Sequence, residues 1–177
     1  MNTGMRLSIR PAALEDLEDL SSLVSRGNAT YSAWAGAEWK PPGPAGERRR
    51  WWDRLEDPRA WNAVGIADDE LVGCASFTDA RSQAEPGGTI PGRAHLSRLF
   101  VAPEHWGQGI GEELLRTAVE EMRRRGYRIA QLFTPRANSR ARHFYEHNGW
   151  VICDGTRQWH GLLLVRYCRD LSHSAAS

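Results

Sequence analysis

Long hydrophobic runs are missing from this chain, and so is any surplus of one charge. No window approaches the ~20 apolar residues of a membrane-spanning helix. The N-terminus has no basic segment followed by the apolar stretch of a secretory signal. Both absences lead to the expectation of a soluble, cytoplasmic chain without a membrane partner. A formal net charge of +1 leaves no electrostatic footprint for nucleic acid. Lysine is nearly absent: Lys40 stands alone, and the other 22 of the 23 basic side chains are arginine. No function follows from that bias.

Cysteine is scarce too. Cys74, Cys153 and Cys168 are odd in number, show no C-x-x-C spacing and sit in apolar contexts. Buried free thiols in a reducing cytosol are the expectation, with a catalytic cysteine as the alternative. His105, His143, His147, His160 and His173 offer no H-x-x-x-H pair with a third ligand, since His143 and His147 flank the outer side of their helix. No metal is expected. Two phosphate motifs are also missing, G-x-x-x-x-G-K-[ST] and G-x-G-x-x-G, which excludes the usual triphosphatase and dinucleotide loops.

What is present is an ordinary globular composition, 41% hydrophobic and 25% charged over 177 residues, enough for one domain with a proper core. The periodicities place a strand over Met5 to Arg10, a helix marked by Leu14, Leu17, Leu20 and Val24, and an irregular Gly/Ala/Pro segment over Gly27 to Pro44. A second helix follows over Glu47 to Leu55, then a hairpin of Trp61 to Ala67 and Leu71 to Asp79 about Asp68 and Asp69. Ala80 to Gly92, with its glycines and prolines, reads as an exposed loop. Further strands are predicted at His95 to Val101, Arg128 to Thr134, Trp150 to Cys153 and Leu162 to Cys168. A core of about 7–171 and a frayed tail at 172–177 complete the reading. The order β-α-α-β-β-β-α-β-α-β-β predicts a mixed α/β sheet with helices on its faces.

The chain is organised around HLSRLFVAPEHWGQGIGEELLRTAVEE, from His95 to Glu121. A strand leads into a glycine-spaced loop and then a helix whose Ile110, Leu114, Leu115, Ala118, Val119 and Met122 share one face. Glu112 and Glu113 occupy its first turn, Arg123 to Arg125 its last, and Gly126 supplies the stop. Gly107, Gly109 and Gly111 fall where loop becomes helix. There the first N–H groups lack partners and the dipole is positive, so removing side chains lets a diphosphate approach. A Gly-rich turn with no ligand is the alternative.

Two motifs carry a resemblance. LSRLFV followed by APEHWGQGIG is similar to the acyl-CoA signature [RQ]-x-x-G-x-[GA]. Asn138-Ser-Arg-Ala-Arg-His-Phe-Tyr145-Glu-His-Asn-Gly149-Trp150 is similar to N-x-x-A-x-x-F-Y-x-x-x-G-F. In that order, with a strand between them, they resemble the GNAT superfamily of acetyl-CoA-dependent N-acetyltransferases, over about Leu7 to Leu171. The resemblance implies a single-domain, mixed, mostly antiparallel central sheet with a splayed strand pair and helices on both faces. It implies acetyl-CoA as co-substrate, no metal, and a small-molecule amine as acceptor. A protein N-terminus or lysine is the rival acceptor, and a non-catalytic acyl-CoA sensor the rival of another class. Homodimers are common in the family, which leaves a homodimer open, and nothing in the sequence points to an interface.

Carried over, Leu99, Phe100 and Val101 would meet pantetheine through main-chain groups, and Gly107, Gln108, Gly109, Ile110, Gly111 and Glu112 would wrap the pyrophosphate. Asn138 would bond near the pantetheine or acyl end, and Tyr145 would lie by the sulfur as general acid. Trp106 replaces the signature's Arg or Gln, which leaves a main-chain cradle intact but removes a side-chain contact. His95, where many relatives place a Glu, is the candidate base, since an imidazole titrates near neutrality. A strand-end histidine bonded to a loop is its other reading, as core packing is for Tyr145. Ser97 would share the face of His95 if no bulge intervenes. Tyr31, Trp34, Glu38 and Trp39 are candidates for an aromatic acceptor pocket, against a role as filler under loops.

Overall fold

The computed structural model describes residues 6–82 and 87–172. Seven strands form one sheet, β1 (Leu7–Pro11), β2 (Trp61–Ala67), β3 (Glu70–Arg81), β4 (Thr89–Val101), β5 (Ile129–Pro135), β6 (Val151–Trp159) and β7 (Leu162–Asp170), in the order β1-β2-β3-β4-β5-β7-β6. Helices α1 (Leu17–Ala29), α2 (Pro44–Glu56), α3 (Ile110–Arg124) and α4 (Ser139–His147) cover its faces. Only β4 and β5 run parallel, because α3 carries the chain between them as a crossover.

The apolar stripes explain where the helices sit. Leu17, Leu20, Leu23 and Val24 of α1 pack with Trp51 of α2 against Val64 and Cys74. The six predicted apolar positions of α3 are all buried on the opposite face, against Val72, Phe77, Leu96 and Leu132. Each buried Leu, Ile, Val or Met among them contributes about 1.5–3 kcal/mol by leaving water. Asp16 precedes α1, accepts from the Ala13 amide at 2.8 Å and takes the Arg10 fork at 2.7 and 2.8 Å. Gly126, at φ 83°, stops α3. Among the described residues no helix is long and apolar enough to cross a membrane.

Several boundaries differ from the sequence reading. α2 begins at Pro44, because proline fits the first turn of a helix, where its missing N–H costs nothing. Both ends of the expected loop over Ala80 to Gly92 are strand: β3 runs through Arg81, β4 begins at Thr89, Ala80 is fully buried and Arg81 pairs with Thr89. The turn-forming residues there mislead because Pro91 and Gly92 sit inside β4. β6 extends to Trp159, and His160-Gly161, both at positive φ, turn it into β7. Met5, and the tail beyond Ser172, lie outside the described residues.

The thiols need a firmer correction. Cys153 and Cys168 form a disulfide, and only Cys74 is a free, buried thiol. Fifteen residues separate the pair in sequence, yet the β6–β7 hairpin sets Cys168 opposite Val151 and Cys153 opposite Arg166, one diagonal step apart. The argument from free thiols to a reducing compartment therefore falls away.

One irregularity positions everything that follows. Ser76 of β3 pairs with Arg98, but Phe77 pairs with Leu96, which leaves Ser97 as an extra residue in β4. Such a bulge bends its strand. β4 and β5 pair only from Arg93 to His95 with Ile129 to Gln131, and then part. The bulge also breaks the alternation that would have put Ser97 beside His95, and Ser97 Oγ donates to the Ser76 carbonyl at 3.1 Å.

Candidate active site

A cavity of about 1480 Å³ occupies the gap between the diverging strands, bounded by the α3 and α4 N-termini, α1 and α2. Leu99, Phe100 and Val101 form the β4 wall. Their partners on one side are Ala75, Cys74 and Gly73, so from Leu96 onward the other edge of β4 faces the gap rather than β5. The side chains of Leu99 and Val101 pack toward α3, and that of Phe100 toward α1. The Val101 carbonyl is taken: the Trp106 indole donates to it at 2.9 Å. Arg140 stacks over the same indole, 4.0 Å from the ring centroid. The residue that departs from the signature is thus a strut from loop to strand.

The glycines divide into two kinds. Gly107 (φ 77°) and Gly109 (φ 80°) hold left-handed conformations, and a Cβ on either would meet nothing within 4 Å. Open space lies in front of them. Gly111 is helical instead, and a Cβ there would sit 3.3 Å from the Phe144 ring, so its role is close packing of α4 on α3. Gly109 is the N-cap of α3, its carbonyl accepting from Glu113, which leaves the amides of Ile110, Gly111 and Glu112 without intrahelical acceptors. Gln108, exposed beside them, reaches the Glu104 carbonyl at 3.4 Å. The diphosphate of a CoA-type carrier fits this row of uncovered donors.

α4 supplies the far wall. Asn138 caps it, accepting from the Ala141 amide at 3.0 Å. About two turns on, the Tyr145 ring packs against Trp150 and Tyr167 at 6.0 and 6.3 Å. Its hydroxyl makes no hydrogen bond among the described residues and belongs to the cavity lining. Burial, reinforced by Tyr31 nearby, raises the Tyr145 phenol above the ordinary tyrosine value. Burial also pushes Tyr31 up to about 12, with only the Asn138 side chain opposing it. Both phenols hold their protons at neutral pH.

His95 lies on the floor, its ring 6.0 Å from Phe133, with Nδ1 buried and unpartnered. Burial, then Arg157, Arg54 and Arg98, lower its pKa to about 4, while the Gln131 main chain acts the other way. The imidazole is therefore neutral from about pH 5 upward and does not titrate near neutrality. Since the folded value lies below 6.5, protonation is resisted until pH approaches 4. His95→Ala is expected to slow thiol release by a similar factor, about tenfold to a hundredfold, at every pH from 6 to 9. A loss that fades as pH falls below 7 would show that the imidazole titrates there after all.

The four candidate pocket residues separate. Tyr31 and Trp34 line the cavity, with ring centroids 4.7 Å apart. Trp39 stands behind them, its ring tilted against Trp159 at 5.3 Å and against Tyr31 at 5.4 Å. Glu38 is exposed and outside the lining: its main chain packs on Gly161, at the β6–β7 turn, where no Cβ would fit. It cannot meet a cation in this cavity.

Seven charged residues of the lining escaped the sequence reading: Arg140 and Glu146 of α4, and five from α2, β4 and β6. Glu47, 2% exposed, pairs with Arg50 at 2.6 Å and lies 3.5 Å from Arg98. Arg98 in turn lies over the Trp51 ring at 5.2 Å. Arg54 and Arg157 complete the group. The one available signal was Arg98, a charge in the middle of the otherwise apolar strand LSRLFV. Among the described residues no group of three or more His, Cys, Asp or Glu side chains is placed to hold a metal ion.

Residues 28–150 match the family described as Acetyltransferase (GNAT) family. An uncharacterized N-acetyltransferase of Archaeoglobus fulgidus is 44% identical over 50 residues, 28% of this chain and 34% of that protein. Streptothricin acetyltransferase of Streptomyces lavendulae is 35% identical over 98 residues, 55% of this chain and 47% of that one. The chain thus matches less than half the length of either curated relative. Among solved structures, the PaiA N-acetyltransferase of Thermoplasma acidophilum in complex with coenzyme A has a TM-score of 0.70 and 21% identity, covering 94% of this chain and 99% of that one.

Proposed function

The chain belongs to the GNAT family of acetyltransferases, and from that premise we propose that it moves an acetyl group from acetyl-CoA to a primary amine of a small molecule, directly, within a ternary complex. The observation that carries this reading is the opening between β4 and β5 beyond His95, which ends at the uncovered amides of α3 and has the Tyr145 hydroxyl on its wall. A relative named for streptothricin and a fold neighbour holding coenzyme A agree with it.

The chemistry asks for three things. A primary amine near pKa 10.4 is only about one part in a thousand neutral at pH 7.4, a deficit of roughly 4 kcal/mol. His95, neutral and with a free nitrogen, can take a proton directly or through water. Main-chain N–H groups along the free edge of β4 can receive the carbonyl oxygen as charge builds on it. Tyr145, fully protonated, can return a proton to the departing sulfur. Acetyl-CoA supplies the activated thioester; the protein supplies position, which accounts for much of the remaining acceleration.

Direct transfer is favoured because the lining offers no cysteine. Cys74 lies outside it, its thiol pushed up to about 12 by burial, and Ser97 is committed to Ser76. Incubation with acetyl-CoA alone is expected to leave the intact mass of the protein unchanged, while initial rates with amine and acetyl-CoA give intersecting patterns. A 42 Da adduct (one acetyl group, about the mass of C2H2O) formed and discharged at the turnover rate would replace this scheme with a covalent one. Release of thiol with peptides but with no small amine in the same assay would move the acceptor to a protein.

A further inference from the structure

The end of the cavity away from the glycine loop is strongly positive. Arg50, Arg54, Arg98 and Arg157 line the cavity; of its three carboxylates, Glu112 stands at the α3 N-terminus, Glu146 accepts from the Tyr167 hydroxyl, and Glu47 is spent on Arg50 and Arg98. Arg54 and Arg157 have no ion pair among the described residues. The nearest charge that offsets Arg54, Asp57, holds Arg59 through hydrogen bonds of 3.0 and 3.2 Å outside the lining. Arg54, partly desolvated and beside the like charge of Arg98, is unfavourable there unless an anion joins it, while Arg157 reaches the same floor from an exposed position on β6.

Aromatic rings hold two of these groups by their faces. Arg157 lies over Phe133 at 5.0 Å and Arg98 over Trp51 at 5.2 Å. A guanidinium stacked in this way keeps its edge N–H groups for a planar anion. Between them His95 is uncharged, so nothing on the floor competes for that anion except Glu47.

We propose that Arg54 and Arg157, backed by Arg98, bind a carboxylate carried by the amine acceptor, which makes the acceptor class an amino acid or a close relative and excludes polyamines. This rests on the acetyl-transfer reading above. The same positive field disfavours the ammonium form of the incoming amine, and so raises the fraction able to attack. A polyamine would meet repulsion from four guanidiniums, with the nearby carboxylate, Glu47, buried and already paired.

The test compares alanine, methionine, phenylalanine and glutamate with their α-amides and decarboxylated amines, and with putrescine, by thiol release. At least one acid is expected to exceed its own amide by about tenfold or more in kcat/KM, about 1.4 kcal/mol. Arg54→Gln and Arg157→Gln are each expected to raise KM for that acid about tenfold while kcat stays within about threefold and the amide is unaffected. Unchanged CoA affinity in calorimetry certifies that both variants are folded. Calorimetry of the N-acetylated acids and amides on the CoA-loaded protein gives a readout without turnover. Acid-selective binding with no thiol released from any acceptor keeps the anion site and ends the transfer reading. Thiol release that is as fast with amides, decarboxylated amines or putrescine ends the anion site and keeps the transfer, as does an equal loss for acid and amide in both arginine variants.

Discussion

Gly109→Asp is expected to weaken CoA binding about a hundredfold or more, with the fold intact. The substitution puts one carboxylate into the space in front of the α3 N-terminus, where a Cβ meets no atom within 4 Å. Steric conflict with the protein is therefore absent. Backbone strain is modest: φ 80° and ψ 0° are left-handed, which costs an ordinary L-residue about 1–2 kcal/mol but Asp and Asn less. The electrostatic penalty is larger. A unit charge about 4 Å from another costs about 1 kcal/mol in bulk water and about 4 kcal/mol near a protein surface, and a diphosphate presents more than one. A value near 3 kcal/mol, or about a hundredfold, is the middle of that range.

Gly109→Asn separates the causes, since it has nearly the same size and tolerance of the left-handed region but no charge. Calorimetry with CoA should find the asparagine variant within about tenfold of the parent and the aspartate variant far weaker. Added salt should narrow the gap between them, because the site is exposed and screened. Equal affinities for the two variants would mean that no diphosphate passes Gly109. Parent-like affinity in both would put the carrier elsewhere altogether.

That prediction rests on a part of the chain whose local signals all agree. The α3 stripe, its charged ends, the glycines before it and Gly126 after it each state the same helix, and the structure adds only which glycine does what. The legible parts elsewhere share this property: the acidic Asp68-Asp69 turn, the apolar alternation of β1. What stayed hidden depends on pairing between distant segments. Nothing in Leu96-Ser97-Arg98 announces a bulge, because a bulge is defined by the partner strand. Cys153 and Cys168 become neighbours only through the hairpin register. The arginine group draws on α2, β4 and β6, and in a chain with 22 arginines no single one stands out. Glu38, attractive as the acid of an aromatic segment, was carried outward by its contact with the β6–β7 turn.

Tyr145→Phe is expected to lower kcat about tenfold to a hundredfold, about 1.4–2.7 kcal/mol of transition-state stabilisation, while CoA affinity and melting temperature barely move. The structure makes this substitution unusually interpretable. The ring is held by Trp150 and Tyr167, contacts that phenylalanine retains. The hydroxyl has no hydrogen-bonding partner among the described residues, so its removal strands no donor or acceptor in the protein. Whatever is lost must come from the contents of the cavity. A phenol raised by burial is a poor base and a reliable proton source, which matches the need of a thiolate leaving group. The size of the effect should therefore follow that leaving group: an acyl donor whose thiol has a lower pKa should suffer less from the substitution, because its thiolate departs without help. If kcat is unchanged, or if the loss is the same for donors of different thiol pKa, the proton reaches sulfur by another route and Tyr145 is only part of the wall.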